Sequence, residues 1–215
     1  MLGGNEEDYR LRLHSPYPKE NLSVYLYKEN SRYKYRKKTL PYIFNKIKKF
    51  IEEKQGNYMV FLPSYEYMNM MKEYNESNYI NINSIWQDID LNEEDKEKFI
   101  SKFTKGSDIV GFCVIGGMFS EGIDLPGEKL IGAIIIGVGY PKVSLKGEII
   151  KEYFENEGEK IAYIYPGINK VMQAVGRVIR TESDKGRILL VDDRYSMNRY
   201  YNLLPDEWKP FINRN

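Results

Sequence analysis

The chain is poor in the residues that carry metal and redox chemistry. It has one cysteine, Cys113, and one histidine, His14. A single cysteine excludes an internal disulfide and any cysteine-ligated cluster within the chain, and a single histidine excludes a His-rich metal site. Cys113 falls in an apolar run and reads as an inert core residue; His14 reads as structural or exposed. Long apolar runs are missing too: the longest, 130–140, falls far short of the roughly 20 residues that a membrane helix needs. Glu6, Glu7 and Asp8 follow closely on Met1, so a secretory signal is not expected, and the expected location is cytoplasmic, with no membrane partner. Neither sign of charge dominates. The net charge is +1, and overall electrostatics therefore do not advertise a nucleic-acid binder.

What is present is enough for one folded domain: 215 residues, 42% of them hydrophobic, can bury a real core. The charge is unevenly placed. Residues 28–54 carry ten Lys/Arg against three Glu, whereas 66–97 carry nine acids against two Lys. A basic segment interleaved with Tyr33, Tyr35 and Tyr42 suits a phosphate backbone, but charge alone favours a solvated helix face.

Apolar runs alternate with helical patterns for most of the length, which is the mark of an α/β domain with a mainly parallel central sheet flanked by helices. Strands are predicted at 22–27, 58–62, 80–84, 109–115, 130–137 and 187–192, and helices at 40–53, 65–74, 92–105 and 168–180. The charged stretch 142–163 is expected to hold a helix on a mobile excursion. Ser15-Pro16-Tyr17-Pro18 reads as extended, since each proline disfavours helix at the residue before it; residues 1–21 are thus an irregular lead-in, and 22–215 the domain proper. Trp86 and Trp208 read as packing residues.

Two segments are chemically suggestive. In Gln173-Ala174-Val175-Gly176-Arg177-Val178-Ile179-Arg180, a helix would place Gln173, Arg177 and Arg180 at i, i+4 and i+7, on one face. Pro166-Gly167 would break the chain upstream and Asn169 cap the helix, while Val171, Val175, Val178 and Ile179 pack inward. Two guanidiniums without an acid suit a phosphate chain; by spacing alone, two surface arginines on an amphipathic helix are commoner. The second segment, Gly116 to Gly127, follows the strand at 109–115. Its glycines allow close backbone approach and leave N–H groups for phosphate, and Ser120 and Asp124 add a hydroxyl and a carboxylate. Alone, it is equally a tight strand-to-helix connection. Gly137-Val138-Gly139 lacks the third glycine of a dinucleotide turn and is followed by Pro141. Asp192-Asp193-Arg194 closes a strand, to orient Arg177 or Arg180 or to cap the edge of the sheet.

Taken together and in order, these segments resemble motifs V and VI of superfamily 2 helicases, most closely the XPD/DinG family of DNA helicases. The resemblance is carried by Gly117, Ser120-Glu121-Gly122-Ile123-Asp124, the Gln173–Arg180 run, Asp184-Lys185-Gly186 and Leu190-Val191-Asp192-Asp193-Arg194-Tyr195. Phe61-Leu62-Pro63-Ser64-Tyr65 resembles that family's motif IV, and Ser15-Pro16-Tyr17-Pro18-Lys19-Glu20-Asn21 the opening of its second motor domain. The resemblance implies a RecA-like C-terminal motor domain. It implies that Arg177 and Arg180 reach across a cleft to the γ-phosphate of ATP, and that Gln173 contacts the first domain or the nucleotide. It further implies that Gly122 and Asp124 face the nucleotide, and that Ser64, Tyr65, Gly117 and Ser120 contact single-stranded DNA. Tyr65 is equally readable as a core tyrosine.

The sequence departs from a complete motor of that family. It contains no Gly-x-x-x-x-Gly-Lys-Ser/Thr loop and no Asp-Glu-Ala-His box. The expectation is therefore part of a longer protein, sharing ATP and Mg2+ with a first RecA-like motor domain, holding no metal cluster itself and inactive as an ATPase alone. The alternative is a stand-alone RecA-like module that binds nucleic acid or protein without catalysis. Gln173, Arg177 and Arg180 favour the motor, because a binding module has no use for a γ-phosphate sensor.

Overall fold

The computed structural model describes residues 18–120, 123–178 and 184–212. The lead-in through residue 17 therefore lies outside the described residues; Lys19–Asn21 form a short 3-10 turn that runs straight into the first strand.

Among the described residues, β1 (Leu22–Tyr27), β2 (Tyr58–Leu62), β3 (Ser84–Trp86), β4 (Val110–Val114), β5 (Gly132–Ile136) and β6 (Gly186–Val191) form one sheet in the order β1-β6-β5-β2-β4-β3. Every pairing is parallel. The strands of a sheet covered on both faces are apolar throughout, and β2, β5 and β6 are buried at every position. Their side chains alternate between two cores. Met59, Phe61, Ala133, Ile135, Ile188 and Leu190 enter one; Tyr58, Val60, Leu62, Ile134, Ile136, Leu189 and Val191 enter the other. At ~1.5–3 kcal/mol for each large apolar side chain removed from water, these central strands dominate the driving force for folding.

Helices α1 (Arg36–Glu52) and α2 (Tyr65–Ser77) cover the second core. In α1, Leu40, Ile43, Phe44, Ile47 and Phe50 form the buried stripe, and the lysines between them face solvent, as charge alone suggested. The helix starts one turn before its predicted Leu40 and keeps Pro41 inside it. Thr39 Oγ1 ties that first turn to the carbonyls of Asn30 (2.8 Å) and Tyr35 (3.1 Å). At the far end, Arg187 Nη1 donates to the Phe50 carbonyl (3.0 Å), one of the helix's last acceptors, and Nη2 to Glu53 (2.6 Å).

The opposite face carries α3 (Glu93–Ser101) and α6 (Tyr165–Val175), with α4 (Leu145–Tyr153) and α5 (Glu155–Glu159) leading into α6 and α7 (Asn198–Tyr201) following β6. α3 opens with a capping box between Asn92 and Asp95 and three acids in its first turn. Cys113 is fully buried, with its thiol pushed well up by burial, and Trp208 is buried as packing.

Two predicted elements differ. Ile80 and Ile82 do pack on the second core, but the ladder starts only at Ser84, where Trp86 stacks on Phe112 with ring centroids 3.9 Å apart. Burial of alternate isoleucines looks like a strand in the sequence without requiring strand hydrogen bonds. The second difference concerns α6. Pro166-Gly167 does not break the chain and Asn169 is not a cap; both lie inside a helix that follows directly from a π-helical turn at Lys160–Ile164. There the Tyr165 N–H reaches back five residues to the Lys160 carbonyl, a widened turn that admits Pro166, which has no N–H to contribute.

Candidate functional site

In a parallel sheet the strand ends converge with their loops on one edge, and ligands gather there. At the C-terminal end of β2, Ser64 caps α2: its Oγ accepts from the Tyr67 N–H at 3.3 Å. Arg36 Nη1 also donates to Ser64 Oγ, at 3.3 Å. Tyr65 is half-buried, and its hydroxyl accepts from Gln87 Nε2 at 2.6 Å. Burial above all raises its pKa. Gln87 is 4% exposed; its Oε1 accepts from the Val114 N–H at 2.8 Å, at the end of β4. A Cβ on Gly117 would lie 3.7 Å from Gln87 Nε2. One buried amide thus joins Tyr65 to the turn containing Gly117. Gly117 does not offer a free donor, however. Its N–H bonds the Val114 carbonyl at 3.2 Å, so what it offers a ligand is close approach.

A groove of about 690 Å³ runs over the ends of β2 and β5 and the segment after β1, lined by Tyr33, Arg36, Ser64, Tyr65, Gly137 and Lys142 among others. Its floor is a locked polar cluster. Asp192 is fully buried and accepts from Arg194 Nε (2.7 Å), Nη2 (2.9 Å) and backbone N–H (2.9 Å), and from the Ser31 hydroxyl. Burial pushes the Asp192 pKa up, but Arg194 and Ser31 outweigh it and hold the carboxyl below its ordinary value. Arg32 Nη1 grips both oxygens of Asp193, at 2.7 and 2.9 Å, and the Tyr195 hydroxyl donates to the Gly137 carbonyl at 2.8 Å. Of the two readings of Asp192-Asp193-Arg194, the structure matches the cap on the edge of the sheet: the triplet binds the segment after β1 to β6. Gly139, at φ +66°, packs so tightly on α6 that a Cβ there would lie 2.3 Å from the Gly167 carbonyl oxygen, which explains a glycine on each side without a dinucleotide.

The other candidates sit where β4 and α6 meet. Phe119, Ile123 and Leu125 share one core with Ile168, Val171, Ala174, Val175 and Val178, so described residues on either side of 121–122 pack in the same core as α6. Asp124 is exposed between two buried neighbours, Gln173 is exposed and Arg177 half-buried. The helix predicted over 168–180 is corrected at its end, within the described residues. α6 ends at Val175 with Gly176 as its C-cap, and Arg177 lies in a tightened turn whose N–H bonds Ala174 at 3.4 Å. Glycine's entropic cost in a helix favours that stop. Gly122 and Arg180 lie outside the described residues, as does the side chain of Ser120.

A family model described as the helicase C-terminal domain matches residues 47–211. The chain belongs to this helicase C-terminal domain family, in its XPD/DinG branch. It is similar to a probable ATP-dependent helicase of Methanocaldococcus jannaschii, at 27% identity over 203 residues, covering 86% of this chain and 31% of the relative. It is also similar to the ATP-dependent DNA helicase DinG of Photobacterium profundum, at 40% over 100 residues, covering 44% of this chain and 14% of the relative. The chain thus spans less than a third of these curated relatives. Among solved structures, an XPD helicase superposes with a TM-score of 0.68 at 22% identity, over 84% of this chain and 33% of that one. Xpd4 of S. tokodaii superposes at 0.65 and 16% identity, over 95% and 40%. These likenesses show that the fold is RecA-like.

In this XPD/DinG-type domain, two neighbours of the candidate residues escape a reading by motif. Gln87 lies in an acidic stretch that marks no ligand; only its satisfied burial reveals it. Lys170 is the other: a Cβ on Gly116 would come within 2.8 Å of its side chain, so a cation stands against the glycine turn. Its position three residues before Gln173 on α6 was the available signal.

Proposed function

We propose that this domain is the second motor half of an ATP-dependent DNA helicase, inactive as an ATPase by itself. Its relatives with that printed activity, its membership of the family and the motif order support the reading. The observation that carries it is the shared core of the 116–127 turn and α6. Asp124, Gln173 and Arg177 adjoin residues of this core, which supports a role in sensing a nucleotide's phosphates and sugar together. In this role Arg177 and Arg180 approach the γ-phosphate across the cleft and neutralise charge as it is transferred to water. Gln173 contacts the first domain or the nucleotide, and Gly122 and Asp124 face the nucleotide. Ser64, Tyr65, Gly117 and Ser120 border the single-stranded DNA.

In this reading Mg2+ is held by ATP and the carboxylates of the first motor domain. The test compares ATP hydrolysis by the 215-residue chain with that of a polypeptide carrying both motor domains, each with single-stranded DNA. Hydrolysis is expected only from the second; magnesium-dependent turnover by the chain alone refutes the assignment.

A further inference from the structure

The groove at the sheet's C-terminal edge contains cations that the helicase motifs do not account for. Three of the chain's structural arginines are matched to carboxylates: Arg32 to Asp193, Arg187 to Glu53 and Arg194 to Asp192. Arg36, in the same groove, has no carboxylate partner among the described residues. Its guanidinium is held instead by two rings, 4.7 Å from the Tyr67 centroid and 5.4 Å from that of Tyr33, and by the bond to Ser64. Such stacking fixes the plane of the fork without a carboxylate in ion-pair contact; Glu66 acts on the charge only from further away. Lys142, exposed and lining the same groove, also has no ion-pair partner among the described residues. Among the described residues, the one acid lining the groove is Glu66, which accepts from the Tyr33 hydroxyl at 3.4 Å. Tyr33 is 68% exposed, an aromatic face in water at the mouth of a cationic groove.

We infer that Arg36, Lys142 and Tyr33 form a nucleotide subsite for single-stranded nucleic acid, with a phosphate between Arg36 and Lys142 and a base on the ring of Tyr33. This rests on the reading of the domain as half of a strand-tracking motor, and extends the track beyond the motifs onto the first turn of α1. Cations alternating with aromatic faces along an open groove suit a flexible strand better than a lone anion or a duplex, because every base has a π-face and every link a charge. The Asp192–Arg194–Ser31 and Asp193–Arg32 locks position the subsite, since they anchor the segment from which Tyr33 and Arg36 project.

The test is fluorescence anisotropy of a labelled oligodeoxythymidine with the 215-residue chain across a salt series. Arg36→Ala and Lys142→Ala should each weaken binding several-fold and reduce the log–log salt slope by about 0.7, one phosphate's worth on a single strand. Tyr33→Ala should weaken binding about tenfold with the slope unchanged, Glu66→Gln should tighten it, and Lys49→Ala, on the exposed far end of α1, should do nothing. Lys142 and Tyr33 are exposed, so their variants fold whatever happens to Arg36→Ala. If the wild type binds but the Arg36, Lys142 and Tyr33 variants match it, the subsite is refuted while the motor reading stands. If Lys49→Ala weakens binding as much as Arg36→Ala, the effect is generic charge and the subsite is refuted. Displacement of the oligonucleotide by inorganic phosphate or ATP at the same groove refutes it too, and absence of wild-type binding at low salt takes down both readings.

Discussion

Replacing Asp192 by Asn isolates the lock beneath the groove. The substitution keeps the shape of the side chain and removes its charge, leaving Arg194 without its counter-ion in a site where Asp192 is fully buried and the Arg194 side chain is 15% exposed. Breaking a buried pair from one side costs ~3–5 kcal/mol. Arg194 borders the groove and can recover some hydration there, which places the expected cost at the lower end, about 3 kcal/mol. For a domain of this size, that corresponds to a fall in Tm of roughly 6–12 °C. The pH dependence gives a second handle. The folded Asp192 pKa lies below its ordinary value of 3.8 because Arg194 and Ser31 outweigh the effect of burial. A depressed carboxylate contributes stability that is present above the unfolded pKa and lost as pH falls through the folded one. The gap between wild type and Asp192→Asn should therefore be full at about pH 7 and narrow below about pH 4. Urea melts at a series of pH values measure it. A gap under about 1 kcal/mol at neutral pH, or one that widens in acid, refutes the argument that this pair holds the segment after β1 in place.

Other expectations follow from the same geometry. In a polypeptide with both motor domains, Arg177→Ala and Arg180→Ala should each lower ATP turnover by about 10³-fold with little change in Tm, and Lys at either position should restore it only in part. Paired kcat and melting measurements with saturating single-stranded DNA check this, and near wild-type turnover makes the two arginines ordinary surface charges. Gln87→Ala strands the Tyr65 hydroxyl and the Val114 N–H together, and should cost about 2–4 kcal/mol in a urea melt while weakening strand binding. Stability unchanged within about 0.5 kcal/mol would mean that water or a neighbour replaces both bonds.

The sequence alone carried the layered α/β architecture, because buried strands must be apolar on both faces and a covering helix must repeat its apolar residues every three or four positions. β1 and β2 were legible to the residue, since each is a compact apolar run bounded by polar or turn-forming residues. The family was legible as well, in the order of the Ser64-Tyr65, Gly117–Asp124 and Gln173–Arg180 segments, because chemistry at a phosphate demands particular residue types at close spacing. Spacing failed at the helix's end: it carried the helix on to residue 180, whereas α6 stops at Val175. It failed again at 80–84, where alternate buried isoleucines imitate a strand.

Tertiary structure alone decided the partners of buried polar groups. Ser31 meets Asp192 across 161 residues, Gln87 meets Tyr65 across 22, and Arg187 finds the Phe50 carbonyl across 137. The strand order β1-β6-β5-β2-β4-β3 makes neighbours of the first and last described strands and brings the loops after β1, β2 and β5 to one edge. Apolar burial is non-directional, so composition and period suffice to announce it. A hydrogen bond or ion pair needs one partner at one distance and angle, and only the folded chain says which residue that is.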